Sequence, residues 1–154
     1  MTFFDYPTES GPVTVEEDAL LADASAEDWA ELLALGHRRE LPDGDILYSP
    51  GEVDGSLYFV LEGTLEILAP AARGKWRKVG AVPTGRVTGE LSFLDGRPNS
   101  ALARAQGPAT VVVLSHEAFT ALAAQRPDLA VLLAMDLGRL LAGRVRQHET
   151  GGTR

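Results

Sequence analysis

Short runs of β-forming residues, separated by glycine, proline and aspartate, occupy the middle of this 154-residue chain and constrain its fold more than any other feature. Between residues 38 and 114 these runs recur about every eight to twelve residues, a spacing typical of β-sandwiches and β-barrels. Gly44, Gly63 and Gly85 suit turns that need a positive φ or a close backbone approach. The runs are residues 46–48, 57–61, 64–68, 78–79, 101–103 and 110–114. A sheet that folds over on itself is therefore predicted for this region.

Helical patterns flank the β region on both sides. Ser25 is a typical N-cap before an acidic first turn, and Gly36 is a typical C-terminal stop. After the β region, Ser115 is suited to cap a second helix, and Pro127 separates that helix from a longer one over residues 128–148. The expected fold class is mainly β, with one N-terminal helix and two C-terminal helices.

The long C-terminal helix carries an apolar stripe at three- and four-residue spacing. A stripe of this kind either covers the chain's own sheet or pairs with a second copy of the helix, and the sequence leaves both alternatives open. Its members are Leu129, Leu133, Leu137, Leu140, Leu141 and Val145.

Residues 89–101 combine features of an anion site and a sugar site. Gly89 precedes a short amphipathic turn whose first backbone N–H groups suit an anion, and Glu90 suits a ribose hydroxyl. Ser100, just beyond a proline-containing turn, offers a hydroxyl and a backbone N–H to the same place. Asn99 stands where a cation would be most useful to a phosphate, and its amide donates neutral hydrogen bonds only.

This segment resembles the cyclic nucleotide-binding domain family, which occurs in bacterial catabolite-activator-type regulators, cyclic-nucleotide-dependent kinases and gated channels. The family has a Gly-Glu-Leu/Met-small-Leu/Phe-Leu sequence and then an Arg-Ser/Thr-Ala step. Residues 89–101 reproduce all of it except the arginine, whose place Asn99 takes. Residues 41–51 and 57–67 resemble the family's first hairpins, and the similarity extends from about residue 20 to about residue 145.

The resemblance implies a double-stranded β-helix, or jelly-roll β-roll, over about residues 38–114. The C-terminal helices over about residues 115–148 would complete a cyclic nucleotide-binding-like domain that spans residues 20–148. Residues 1–19 are expected to form a partly irregular leader, and residues 149–154 a tail.

In function, the resemblance implies a non-enzymatic small-molecule sensor or regulatory module that binds cyclic AMP or cyclic GMP and needs no other cofactor. The alternative is a degenerate domain that no longer binds nucleotide, because Asn99 replaces the phosphate-binding arginine, and that serves as a dimerisation or protein-interaction scaffold. The expected ligand-binding residues are Gly89, Glu90, Leu91, Ser92, Asn99, Ser100 and Ala101.

Two further positions depart from the family's pattern. Thr88 replaces the aromatic or aliphatic residue usual before the glycine, and Arg86 replaces a common acidic residue. Arg97 and Arg104 lie close enough in sequence to replace the missing cation, although both are more simply explained as surface charges.

In the family, the helix that corresponds to about residues 128–148 packs over the ligand, and in the bacterial regulators it pairs with its copy. The resemblance therefore implies a homodimer through this helix, and an unidentified protein partner is a further expectation. Gly143 and Arg144 align near the point where the family's helix faces the purine base.

Charge argues against direct DNA binding. The net charge is −8, and residues 1–36 hold nine acidic side chains and no Lys or Arg, whereas release of counterions from DNA needs clustered cations. Catabolite-activator-type regulators continue into a helix-turn-helix module, and because this sequence ends soon after the long helix, we expect no such module. The basic residues around Trp76 are interpreted as a solvated hairpin tip.

Membrane, metal and catalytic functions find no support in the sequence. No run of eighteen apolar residues and no basic n-region occurs, so a cytoplasmic location without membrane attachment is expected. The chain has no cysteine and its three histidines are isolated, so no metal site is predicted. No nucleophile triad or phosphate-binding Gly-Lys-Ser/Thr motif is recognisable, so no catalytic residue is assigned.

Overall fold

The computed structural model describes residues 20–151, with side chains described for residues 20–149. The leader predicted over residues 1–19 lies outside the described residues. In order, the described α-helices and β-strands are α1 (Ala26–Leu35), β1 (His37–Leu41), β2 (Ile46–Tyr48), β3 (Leu57–Pro70), β4 (Trp76–Pro83), β5 (Val87–Thr88), α2 (Glu90–Asp95), β6 (Leu102–Leu114), α3 (His116–Gln125) and α4 (Pro127–Gly151).

The strands form one antiparallel sheet in the order β1-β6-β3-β4, with β2 paired to β6 and β5 paired to β3. The long strands β3 and β6 lie side by side, from Leu57 opposite Leu114 to Leu68 opposite Leu102, and irregularities interrupt their register near the middle. Because both strands bend there, the sheet folds over on itself. The predicted jelly-roll β-roll with flanking helices is confirmed.

Two pairs of predicted strands are in fact two continuous strands. Residues 57–61 and 64–68 are parts of β3, and β6 likewise unites the runs on either side of Gly107. At the bulge in β3, Gly63 has φ 81°, and a Cβ there would lie 2.4 Å from the carbonyl oxygen of Pro108. A glycine at positive φ allows a bulge as readily as a turn, so the sequence signal was the same for both.

The roll has two apolar clusters. One fills its interior, and the other lies between its outer face and the helices. Interior residues include Val60, Leu65, Ile67, Ala103, Ala105 and Val111. Residues on the helical side include Leu32, Phe59, Leu114, Leu122, Leu129 and Leu133.

The predicted helix caps are present. The backbone N–H of Asp28 donates to Oγ of Ser25 at 3.1 Å, and the N–H of Ser25 donates to the Asp28 carboxylate at 3.0 Å, so the two residues form a capping box. Gly36 ends α1, and Ser115 caps α3 by accepting from the N–H of Ala118 at 3.1 Å. These caps fix where the helices begin against the sheet.

The first part of the apolar stripe on α4 packs within the chain. Leu129, Leu133 and Leu137 are at most 2% exposed and belong to the cluster on the helical side of the roll. Of the two alternatives for this stripe, coverage of the chain's own sheet therefore holds for these residues. The helix itself extends to Gly151, three residues beyond its predicted end.

The basic cluster lies at the tip of the β3–β4 hairpin, as predicted. Trp76 is opposite Pro70 and is 47% exposed. Among the helices within residues 20–151, none combines the length and hydropathy that a membrane crossing requires.

Candidate functional site

Gly89 is the residue that sets the geometry of the site. It adopts φ 83° and ψ 5° as the N-cap of α2, and a Cβ at this position would lie 2.6 Å from the Ser56 carbonyl oxygen and 2.8 Å from the ring of Tyr58. Any other residue would meet both backbone strain and a collision. The chain therefore turns sharply here, directly before Glu90.

Glu90 is a buried carboxylate with one partnered and one unpartnered oxygen. The residue is 1% exposed, and its Oε1 accepts a hydrogen bond from Nη1 of Arg144 on α4. Its Oε2 is buried without a hydrogen-bond partner. Buried polar atoms in proteins are nearly always hydrogen-bonded, so an acceptor without a donor indicates a place for a ligand group or a water.

The rest of α2 is fixed by contacts on two sides. Oγ of the buried Ser92 accepts from the N–H of Gly55 at 3.3 Å, which ties the helix to the β2–β3 loop. The ring of Phe93 packs edge-on against His116 and Phe119, with centroid distances of 4.8 Å and 5.3 Å. The carbonyl oxygen of Phe93 also lies 2.5 Å from Nε2 of His116. Ser92 is thus held by protein contacts, and Glu90 projects from a rigid support.

Asn99 contacts the β2–β3 loop. Its backbone N–H donates to the Glu52 carbonyl at 3.0 Å, and its side-chain Nδ2 lies 3.5 Å from the same oxygen. Its own carbonyl accepts from the N–H of Gly51 at 2.9 Å. The segment after α2 is therefore fastened to the loop before β3. Of the two residues that follow, Ser100 is exposed and Ala101 is 6% exposed within the interior cluster.

The two arginines considered as replacement cations lie elsewhere. Arg104 pairs with Glu66 across β3 and β6, and its side chain is 43% exposed. Arg97 is exposed, and its backbone N–H donates to the Asp95 carboxylate at 2.9 Å. Within residues 20–149, the cation paired with Glu90 is Arg144 on α4, and neither Arg97 nor Arg104 has this role.

Thr88 has a specific partner in the interior of the roll. Its Oγ1 lies 2.6 Å from the hydroxyl of Tyr48, and both residues are buried. The ring of Tyr48 packs against Tyr58 at a centroid distance of 5.7 Å. This hydrogen bond explains why a threonine is accommodated before Gly89, and it places two hydroxyl groups next to the glycine turn.

Arg144 was not among the expected ligand-binding residues, although the resemblance had aligned it near the point where the family's helix faces the purine base. A signal for it existed, because residues 133, 137, 140 and 144 continue one helix face at spacings of four, three and four. Charged groups that extend into a buried apolar face are usually paired, and the partner of Arg144 is Glu90.

In the part of the chain that the structure describes, no three His, Asp or Glu side chains cluster in a way that could hold a metal ion. The arrangement around Glu90 is instead polar and partly buried. A buried acceptor, a partly exposed cation and neighbouring hydroxyls lie beside an apolar interior.

The sequence model of the cyclic nucleotide-binding domain matches residues 38–126, which is more than half of the chain. The chain belongs to the cyclic nucleotide-binding domain family. Its match covers the whole β-roll and α3.

Individual relatives agree with this membership. The cyclic AMP receptor protein of Thermus thermophilus is 32% identical over 119 residues, which are 76% of this chain and 53% of that protein. The chain spans about half the length, or less, of the curated relatives it matches.

Solved structures show the same fold. The crystal structure of the Thermus thermophilus catabolite activator protein superposes with a TM-score of 0.77 at 28% identity, covering 86% of this chain and 61% of that one. The N-terminal domain of a transcriptional regulator from Streptomyces coelicolor has a TM-score of 0.72 at 27% identity, covering 89% of this chain and 95% of that domain. The region they share with this chain is the roll with its flanking helices.

Proposed function

We propose that this chain binds a cyclic nucleotide, cyclic AMP or cyclic GMP, and acts as a small-molecule sensor. The observation that carries the proposal is Glu90, whose buried Oε2 lacks a donor while Oε1 is held by Arg144. A sugar hydroxyl is the kind of donor that would satisfy this oxygen without adding charge to a buried position. The residues present therefore fit the sugar of the proposed ligand.

The remaining expected residues have assignable roles in this proposal. Gly89 provides the turn, Ser92 ties α2 to the loop before β3, and Leu91 would line the site beside Glu90. Ser100 and Ala101, directly before β6, would face the phosphate. Asn99 would supply a neutral donor only.

The relatives support a regulatory role rather than a catalytic one. One of them is described as a cyclic AMP receptor protein and another as a cAMP-activated global transcriptional regulator. We infer that this chain likewise signals by binding, as a bacterial regulatory module in the cytoplasm, without catalysing a reaction.

The first experiment is a calorimetric titration with cyclic AMP and cyclic GMP up to millimolar ligand, a range that still detects very weak binding. We expect saturable heat with at least one ligand. We expect Glu90→Ala to weaken that binding about 10- to 100-fold, because it removes the acceptor of a hydrogen bond to a charged group.

Glu117→Ala is the matched control, since Glu117 is an exposed carboxylate on α3. The affinity of Glu117→Ala for the nucleotide should equal that of the wild type. Circular dichroism should show that Glu90→Ala and Glu117→Ala are both folded. A wild-type protein that gives no heat with either nucleotide would contradict the proposal.

A second candidate function, a homodimer scaffold, is favoured by an exposed line of residues on α4, here named the α4 seam. Val131 is 62% exposed and Met135 is 54% exposed, although both are apolar. The same line continues through the exposed Gly138 and Ala142 to the half-buried Val145, at alternating spacings of four and three residues. That period is the one by which two helices pack in a coiled coil.

The small residues of the α4 seam support this candidate independently. A Cβ added at Gly138 would meet nothing within 4 Å in the described chain, so packing within the chain does not require glycine there. A glycine in the middle of a helix costs about 1 kcal/mol relative to alanine. Close approach of a second α4 would offset that cost. Dimerisation and nucleotide binding are compatible, because the α4 seam and Glu90 involve different residues. The scaffold is an alternative to the sensor only if the domain no longer binds nucleotide.

A further inference from the structure

Arg144 lies between the most deeply buried carboxylate of the site and the solvent. Its side chain is 29% exposed, whereas that of Glu90 is 1% exposed. The guanidinium reaches this place because Arg144 continues the buried face of α4 that Leu133 and Leu137 begin. Helix α4, which packs on the outer side of the roll, thus places a positive charge next to the Glu90 carboxylate.

The structure of a cyclic nucleotide explains why the positive charge of Arg144 would lie close to the phosphate. In a 3′,5′-cyclic nucleotide, the 2′-hydroxyl and the 3′ phosphate ester oxygen are on adjacent carbons of the sugar. If the 2′-hydroxyl donates to Oε2 of Glu90, the anionic phosphate is held beside a carboxylate. Two like charges this close repel strongly in a poorly solvated site unless a cation lies between or beside them.

The cation already bound to Glu90 can meet this need. A guanidinium has five N–H donors in a planar fork and pairs with carboxylate and phosphate oxygens alike. Two other residues are less suitable as donors to the phosphate. Arg104 is already paired with Glu66, and Asn99 is uncharged. Arg144 is therefore identified as the phosphate's cation by its contact with Glu90, and not by the family's sequence pattern.

We propose that Arg144 binds the cyclic phosphate of the ligand and supplies from α4 the positive charge that position 99 lacks. The inference rests on the proposed function, because it concerns the same ligand. It makes Arg144 a binding residue for the phosphate as well as a partner for Glu90. It also makes the site selective for the cyclic phosphodiester over the uncharged nucleoside.

The test compares cyclic AMP with adenosine, and cyclic GMP with guanosine, by calorimetry in the wild type, Arg144→Gln and Arg144→Lys. We expect Arg144→Gln to weaken binding of the cyclic nucleotide about 30-fold or more, while binding of the nucleoside changes less than about 3-fold. Arg144→Lys keeps the positive charge but loses the planar fork of N–H donors. Its affinity for the cyclic nucleotide should therefore lie between those of the wild type and Arg144→Gln. Arg146→Gln, an exposed position on the same helix, is the control.

A rescue variant separates phosphate binding from an indirect effect through Glu90. Asn99→Arg, added to Arg144→Gln, introduces a cation at the position where the family's pattern has its arginine. We expect it to restore at least 10-fold of the lost affinity for the cyclic nucleotide. Circular dichroism verifies the fold of each variant.

The outcomes are distinguishable. Equal weakening of nucleotide and nucleoside would assign Arg144 to the positioning of Glu90 alone and overturn the inference. The same conclusion would follow if Asn99→Arg strengthened binding in the wild type but gave no rescue in Arg144→Gln. A wild type that binds neither cyclic nucleotide would remove the proposed function and this inference together. Undiminished binding in Arg144→Gln would overturn the inference and leave the proposed function in place.

Discussion

At the scale of single residues, the site depends on a charge that is costly to bury. Glu90 is almost completely enclosed, and its pairing with Arg144 offsets the loss of hydration. Removing one partner of such a pair costs about 3–5 kcal/mol, because the other charge stays buried. Stability and the proposed ligand binding are therefore linked at this position, and the matched exposed variants are needed to separate them.

Position 99 gives a sharp prediction at the same scale. We expect Asn99→Arg in the wild-type background to raise the affinity for cyclic AMP or cyclic GMP about 10- to 100-fold, because a charge-assisted hydrogen bond replaces a neutral one. Calorimetry at two salt concentrations measures this, and the gain should shrink at high salt.

Asn99→Gln is the matched control for that variant, since it changes length without adding charge. Both substitutions disturb the weak Nδ2 contact with Glu52, so a gain restricted to the arginine isolates the charge. Equal affinities in the two variants would place position 99 away from the phosphate.

At the scale of elements, Arg126 joins α1 to the junction of α3 and α4. Its guanidinium donates to Asp28 at 2.8 Å, to Glu31 at 2.8 Å and to Asp128 at 2.9 Å. These hydrogen bonds raise the pKa of Arg126, and the bond to Asp128 contributes most. The same bond is the main cause that lowers the pKa of Asp128, whereas the pKa of Asp28 is lowered first by the backbone N–H of Ser25 and then by Arg126.

This network predicts a pH-dependent effect of Arg126→Gln on thermal stability. A carboxylate whose pKa is lowered on folding stabilises the folded state above its unfolded pKa of 3.8, and that contribution is lost as the pH falls through the folded pKa. We therefore expect the variant to have a lower Tm than the wild type at neutral pH. The difference should shrink as the pH falls below about 4.

Thermal melts followed by circular dichroism between neutral pH and about pH 3 provide the measurement. Arg38→Gln is the control, because Arg38 makes only a 3.9 Å contact with Glu40 and both side chains are exposed. A Tm difference for Arg126→Gln that stayed constant with pH would show that packing of the side chain, and not its charge, joins the helices.

At the scale of the whole molecule, the α4 seam determines what a second copy could contact. We expect the protein to be dimeric at micromolar concentration, and Val131→Lys with Met135→Lys to make it monomeric, because two charges would enter the paired helices. Light scattering after size-exclusion chromatography measures both masses.

Ala124→Lys adds a charge at an exposed position of α3 and should leave the mass unchanged. A monomeric wild type would contradict the dimer. If the seam variants also retained nucleotide affinity, binding and association would be separate properties of the molecule.

Much of the fold could be predicted from the sequence, because its signals are local. Ser25 and Ser115 are caps that act within one turn, and the glycines at positive φ mark where the backbone changes direction. The continuity of β3 and β6 could not be predicted in the same way, since a bulge at Gly63 and a turn there need the same residue.

The same distinction between local signals and long-range contacts applies to the candidate site. Gly89 and Glu90 were predicted because they are adjacent and follow a pattern, and the structure brings Glu90 into the interior. The pairing of Glu90 with Arg144 joins residues 54 positions apart, so it depends on how α4 crosses the roll. The partnership of Tyr48 with Thr88 is likewise a product of tertiary packing. Whether Ser100 and Ala101 contact a ligand stays a prediction.

The pairing order of the sheet also governs how the chain can fold while it is being synthesised. Three strands, β1, β2 and β3, pair with β6, which is the last strand in chain order. A nascent chain can form the β3–β4 hairpin early, but β1 and β2 have no partner within this sheet until residues 102–114 have left the ribosome. Exposed strand edges favour aggregation, so a ribosomal pause before that point would prolong the period of greatest risk.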